Sequence, residues 1–116
     1  MLLRIDHIDF KVKDMEAFVN DLLKIGMVEK RRSPAPRLSV ELALPGENQV
    51  VFEVHQLKEG AGQEIHHIAF KSDGNDLERL KRNGFSFKTE NLLIKDTGRT
   101  VSTFSDTNGF TWQLTD

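Results

Sequence analysis

A chain of 116 residues suits one domain and is too short for two independent ones, so any internal duplication must lie inside a single fold. Hydrophobic residues at 38% and charged residues at 29% describe a globular chain without a membrane-spanning run, and a net charge of −2 with both signs interspersed supplies no field for nucleic acid. Cysteine and tyrosine are both absent, which excludes disulfides, thiolate ligands, a cysteine nucleophile and a phenolic acid or base.

Arg4, Asp6 and Asp9 interrupt the N-terminal apolar residues too early for a signal peptide, so a cytoplasmic protein is expected. From Arg4 to Val12 the residues alternate, with Ile8, Phe10 and Val12 on one strand face and Ile5, His7, Asp9 and Lys11 on the other. Asp14 then suits an N-cap. Met15, Phe18, Val19, Leu22 and Leu23 recur at helical spacing, and Gly26 suits the position just past the helix end. The greasy stripe of this helix needs the apolar strand face, which turns the His7 face away from it.

Three strands are predicted next, over Met27 to Ser33, Arg37 to Leu44 and Gln49 to Leu57, separated by Pro34 and Pro36 and by the Pro45-Gly46-Glu47-Asn48 turn. In the last of them Glu53 and His55 lie opposite Val50, Phe52 and Val54. In the preceding one Glu41 shares a face with Ser39 and Ala43, from which it could act as a general base. Lys30, Arg31, Arg32 and Arg37 form a basic cluster able to bind a carboxylate or phosphate, but a solvated strand end and loop is the simpler expectation.

After Gly60-Ala61-Gly62 the pattern repeats. A strand over Ile65 to Lys71 puts His67 with Ile65 and Ala69, and His66 with Ile68 and Phe70, where a hydrogen-bonded core or interface role suits it. Asn75 as N-cap with Glu78 three residues on predicts a shorter helix, with Leu77 and Leu80 inward and Gly84 closing it. Strands over Phe85 to Glu90, Arg99 to Ser105 and Phe110 to Thr115 follow, and in the last Gln113 alternates with Trp112 and Leu114.

Two spacings agree. His7 and His67 are 60 residues apart (67 − 7), and so are Glu53 and Gln113 (113 − 53). The expected architecture is a single domain over residues 1–116, with module one at about 1–60 and module two at about 63–116, each a strand, a helix and three strands. His7, Glu53, His67 and Gln113 all fall on strand faces left uncovered by the helices. Two imidazoles, a carboxylate and an amide oxygen make a mixed donor set for a divalent ion, with zinc, nickel, cobalt, manganese and ferrous iron all chemically suitable. Four protein ligands leave two neighbouring coordination positions for two adjacent substrate oxygens, and such an ion stabilises an enediolate. His55 would stand beside these ligands or in solvent.

Asp6-His7-Ile8-Asp9-Phe10, Val51-Phe52-Glu53-Val54, His66-His67-Ile68-Ala69-Phe70 and the closing stretch from Phe104 to Leu114 resemble the vicinal oxygen chelate superfamily, which includes glyoxalase I, methylmalonyl-CoA epimerase, extradiol dioxygenases and bleomycin-binding proteins. The resemblance covers nearly the whole chain. It implies an α+β fold of two βαβββ modules forming an open, cup-shaped mixed sheet with the helices outside, usually in homodimers, with metal ligands on the first and last strand of each module. The departure is Gln113, where the family most often has glutamate. Epimerase-like members pair two histidines with one glutamine and one glutamate, so here those two types are exchanged between the modules without changing the total ligand charge.

The function implied is that of a metal-dependent lyase or isomerase of the glyoxalase or epimerase type, acting on a small substrate with vicinal oxygens. Glu53 is the expected proton acceptor, with Glu41 in reserve. Two alternatives are a metal-free antibiotic-binding protein of the bleomycin-resistance type and a ferrous dioxygenase using His7, His67 and Glu53.

Overall fold

The computed structural model describes residues 1–116 and shows eight strands and two helices, an α+β fold in which the order βαβββ occurs twice. The strands are β1 (Leu2–Val12), β2 (Val28–Ser33), β3 (Ser39–Ala43), β4 (Val51–Gln56), β5 (Glu64–Ser72), β6 (Phe87–Ile94), β7 (Arg99–Ser105) and β8 (Thr111–Thr115). The helices are α1 (Met15–Ile25) and α2 (Asp76–Arg82). Two compact units share the chain, one of His7–His66 and the other of His67–Asp116 with Met1–Asp6. Neither helix is long and apolar enough to cross a membrane.

In the unit of residues 7–66 the strand order is β2-β3-β4-β1, with β1 parallel to β4 and β3 antiparallel to both of its neighbours. The predicted parity holds. Val12, Val40, Leu42 and Val54 meet Met15, Val19 and Leu22 of α1 and Met27 beyond it in one buried cluster. Phe10, Phe18 and Phe52 pack against that cluster, with the Phe10 ring 5.5 Å from Phe18 and 5.0 Å from Phe52. A core of this kind draws its stability from removing apolar surface from water, at roughly 25 cal/mol per Å².

The ends of α1 follow from its sequence. The Asp14 carboxylate accepts the Ala17 N–H (3.0 Å), and Gly26, at φ 127°, donates its N–H to the carbonyls of Leu22 and Leu23. Replacing Asp14 by alanine leaves one helix-end donor without its partner and is expected to cost about 1 kcal/mol, measurable by urea denaturation.

In the other unit the order is β5-β8-β7-β6, with β5 parallel to β8 and the remaining pairs antiparallel. Phe70 stacks on Trp112 at 5.4 Å, and Phe104 packs against Phe85 and Phe87. The Trp112 indole N–H reaches Asp106 (3.0 Å), which also accepts the N–H groups of Asn108 and Phe110 and so closes the turn before β8.

Three expectations are corrected in this unit. Asn75 makes no side-chain cap: its backbone is helical (φ −101°, ψ −3°) rather than extended as a capping residue's is, and its amide group donates to the Asp73 carboxylate. Leu77 and Leu80 are only half-buried, and the fully buried residue of α2 is Asp76. Asp76 accepts hydrogen bonds from Ser72 (2.7 Å) and Arg79 (2.8 Å) and lies 3.5 Å from the Met1 amine. Strand β6 runs to Ile94 rather than ending at Glu90, since Asn91 takes φ 51° and donates its N–H to Ser102 Oγ (2.9 Å). The ladder is irregular there, with register shifts on both sides of Thr89, and resumes from Leu92.

Burial alone would raise the Asp76 carboxyl, but the bonds from Arg79 and Ser72 and the Met1 amine bring it below its ordinary value. A depressed acid contributes stability that is complete above its unfolded pKa and fades as pH falls through the folded one. Asp76→Asn should therefore flatten the loss of stability below about pH 4. It should also cost roughly 1–3 kcal/mol at neutral pH, both read from denaturation curves across pH.

Candidate metal centre

On the face of β1, β3 and β4 opposite α1, buried polar side chains replace hydrocarbon: His7 and Asp9 from β1, Ser39 and Glu41 from β3, and Glu53 from β4. Strand register brings them together, because Asp9 and Glu41 are the residues paired with Glu53 on its two sides. Buried groups that form or accept charge are costly unless they are matched. Here the matching converges on Glu53.

The Glu53 carboxylate is 3% exposed and has two distinct sides. Its Oε2 lies 3.7 Å from Nε2 of His7, itself 1% exposed. Its Oε1 lies 3.2 Å from Nε2 of His55 and pairs with the Arg37 guanidinium. The same His55 nitrogen is 2.8 Å from Asp9 Oδ2, so one imidazole bridges two carboxylates. Burial would lower the His55 pKa, but its bonds to Asp9 and Glu53 raise it to about 9, which makes it an imidazolium across the neutral range. For Glu53, burial works upward. The His55 hydrogen bond, the neighbouring His7 and the Arg37 guanidinium prevail and hold the carboxyl well below the usual carboxylate range.

His55 therefore stands beside Glu53 and Asp9 rather than in solvent. Arg37 departs from the simpler expectation of a solvated loop. The turn closed by the Leu38 N–H on the Pro34 carbonyl (3.1 Å), with Leu38 at φ 46°, delivers Arg37 to Glu53. Arg32, by contrast, pairs at the surface with Glu29 (2.7 Å) and Glu16, as a solvated strand end would. Asp9 shares the parity of His7, but nothing local in the sequence marks it, because its contact with His55 forms only across paired strands.

His67 is buried on β5 and Gln113 half-buried on the neighbouring strand β8, where Gln113 opposes Ala69 and its amide nitrogen donates to Thr103 Oγ1 (3.2 Å). That donation leaves the amide oxygen for another partner. His66 is exposed, contrary to the core role its parity suggested, because β5 is open to solvent through its first three residues. Asp6, next to His7, is committed to Arg99 (3.2 Å) and Arg4 (3.5 Å).

The donors suit a first-row divalent ion. Bonds of about 2.1 Å place neighbouring donors roughly 3–4 Å apart, which matches the 3.7 Å between His7 Nε2 and Glu53 Oε2. Asp9, Glu53 and His55 also present their donor atoms within 4.8 Å of one another. Arg37 and the His55 imidazolium already balance that second side, so the His7 side of Glu53 is the better one for a cation.

No protein-family model matches the chain, and no curated protein sequence does. Solved structures match across nearly its whole length. Methylmalonyl-CoA epimerase from Mycobacterium tuberculosis superposes with a TM-score of 0.79 at 18% identity, covering 98% of this chain and 87% of the epimerase. The Streptomyces coelicolor epimerase in complex with 2-nitronate-propionyl-CoA gives 0.75 at 17%, covering 99% and 97%. BphC, a halotolerant catechol dioxygenase, gives 0.74 at 14%, with 99% of this chain matching 39% of that longer one. The chain thus has the fold of the vicinal oxygen chelate superfamily, the one its histidine and closing motifs resemble.

Proposed function

We propose that the protein is a metal-dependent isomerase or lyase of the vicinal oxygen chelate type, acting on a small substrate with two adjacent oxygens and moving a proton next to a carbonyl. The observation that carries this reading is the concentration of His7, Glu41 and Glu53 on one buried strand face, where packing alone would favour hydrocarbon. The proposed ligand set is His7 and Glu53 with His67 and Gln113, supported by the 60-residue repeat (67 − 7 and 113 − 53) and by the His7–Glu53 separation. A bound divalent ion would supply the Lewis acidity that stabilises enediolate charge.

Glu53 is the poorer of the two candidate bases. A carboxylate held that far below its ordinary pKa has little proton affinity, and three cationic or hydrogen-bonding partners restrain it. Glu41, directly opposite it on β3 and 5% exposed, is the proposed proton acceptor, with Glu53 kept as ligand. Arg37 and His55, anchored by Asp9, hold the Glu53 carboxylate with Oε2 toward His7.

Elemental analysis with calorimetric titration of zinc, nickel, cobalt and manganese tests the metal, and 2-oxoaldehyde hemithioacetals and 2-substituted acyl-CoA esters test the turnover. One equivalent of metal with metal-dependent turnover is expected. Absence of stoichiometric binding for every metal would end the proposal, and oxygen uptake with catechols would replace it by a dioxygenase.

A further inference from the structure

Strand β2 is the outermost strand of the unit of residues 7–66, and Val28 to Arg32 on it are exposed. The side each residue takes is fixed by its partner. Glu29 and Arg32 pair with Leu42 and Val40, which pack against α1, and Arg32 reaches Glu16 on that helix. Arg31 therefore lies on the other face, where it is the residue paired with Glu41. A bulge puts it there. Counted from Glu29, a regular ladder would set Lys30 against Glu41, but the register shifts between Glu29 and Arg31, and Arg31 takes that place. Bulges of this kind re-aim side chains and recur beside active sites.

Glu41 is a residue that needs a cation. It is 5% exposed, and on β4 it is paired with Glu53, a second buried carboxylate. Like charges directly opposite each other destabilise a ladder. The other cations of this face are committed elsewhere: Arg37 and His55 to Glu53, and His55 and Lys11 to Asp9 at 2.8 and 3.8 Å. Directly paired residues have Cβ atoms about 4.5–5.5 Å apart, a gap that an arginine side chain spans, and its planar fork matches a carboxylate better than the Lys30 ammonium would.

We propose that Arg31 is the positioning residue of Glu41, its guanidinium matching the Glu41 charge from the strand edge and fixing the carboxylate for proton transfer. The proton-transfer half of this inference rests on the function proposed above, and the pairing half stands without it.

Urea unfolding and steady-state kinetics of Arg31→Met, Glu41→Gln and the double variant test both halves. Methionine keeps an unbranched stem and removes the charge. Arg31→Met should lower the urea midpoint on its own but not when added to Glu41→Gln, where no carboxylate charge is left to match. An arginine indifferent to Glu41 would instead move the midpoint equally in both backgrounds. In turnover, Arg31→Met should lose about 10- to 100-fold in kcat with KM within about twofold of wild type. Metal titration should be unchanged, and Arg31→Lys should restore most of kcat.

Equal midpoint losses in the two backgrounds overturn the pairing. An undiminished kcat, or a fall in kcat that persists on top of Glu41→Gln, overturns the positioning role. A wild-type protein that binds no metal and turns over no substrate ends the function proposed above, and the unfolding cycle then upholds or overturns the pairing by itself.

Discussion

Glu41→Gln is expected to lower kcat by about 10²- to 10⁴-fold while leaving metal affinity within about twofold of wild type. The substitution preserves volume and a hydrogen-bonding head on β3 but removes the proton acceptor, so the buried strand face should keep its shape. Steady-state kinetics on whichever substrate turns over, paired with calorimetric metal titration, reads both quantities. A variant with undiminished kcat would transfer the role of base away from Glu41. Loss of metal along with activity would make Glu41 part of the binding set.

Glu53→Gln should behave differently, failing at binding before it fails at turnover. Outer partners of metal ligands typically contribute 10- to 100-fold in affinity, and losing the carboxylate itself should exceed about 100-fold. Folding should suffer too. Arg37 and His55 would keep their places on the buried face without the charge that compensates them, and breaking a buried pair from one side costs about 3–5 kcal/mol. The double variant Glu53→Gln/Gln113→Glu separates the two effects. It restores the total charge of the proposed ligand set, so metal affinity should recover substantially. It leaves Arg37 and His55 without their carboxylate, so urea stability should remain low. Recovery of neither quantity would mean that the two modules do not share an ion.

The repeated βαβββ order, the α1 boundaries and the strand parity that groups His7, Glu41 and Glu53 on one face are legible in the sequence. The reason is that these are local properties: side-chain direction alternates along a strand with period two, and a cap such as Asp14 acts within one helical turn. Which polar groups meet depends on strand pairing over long distances in the chain. His55 meets Glu53 and Asp9 because hydrogen-bonded register aligns β1 with β4, which α1, β2 and β3 separate in sequence, and Arg37 reaches Glu53 from the turn before β3. The same holds for Asp76, drawn inward by Ser72, Arg79 and the distant Met1 amine where helical periodicity favoured Leu77 and Leu80. Local pattern assigns a residue to a face, but its partners come from strands paired across long stretches of chain, and those partners set its charge and its chemistry.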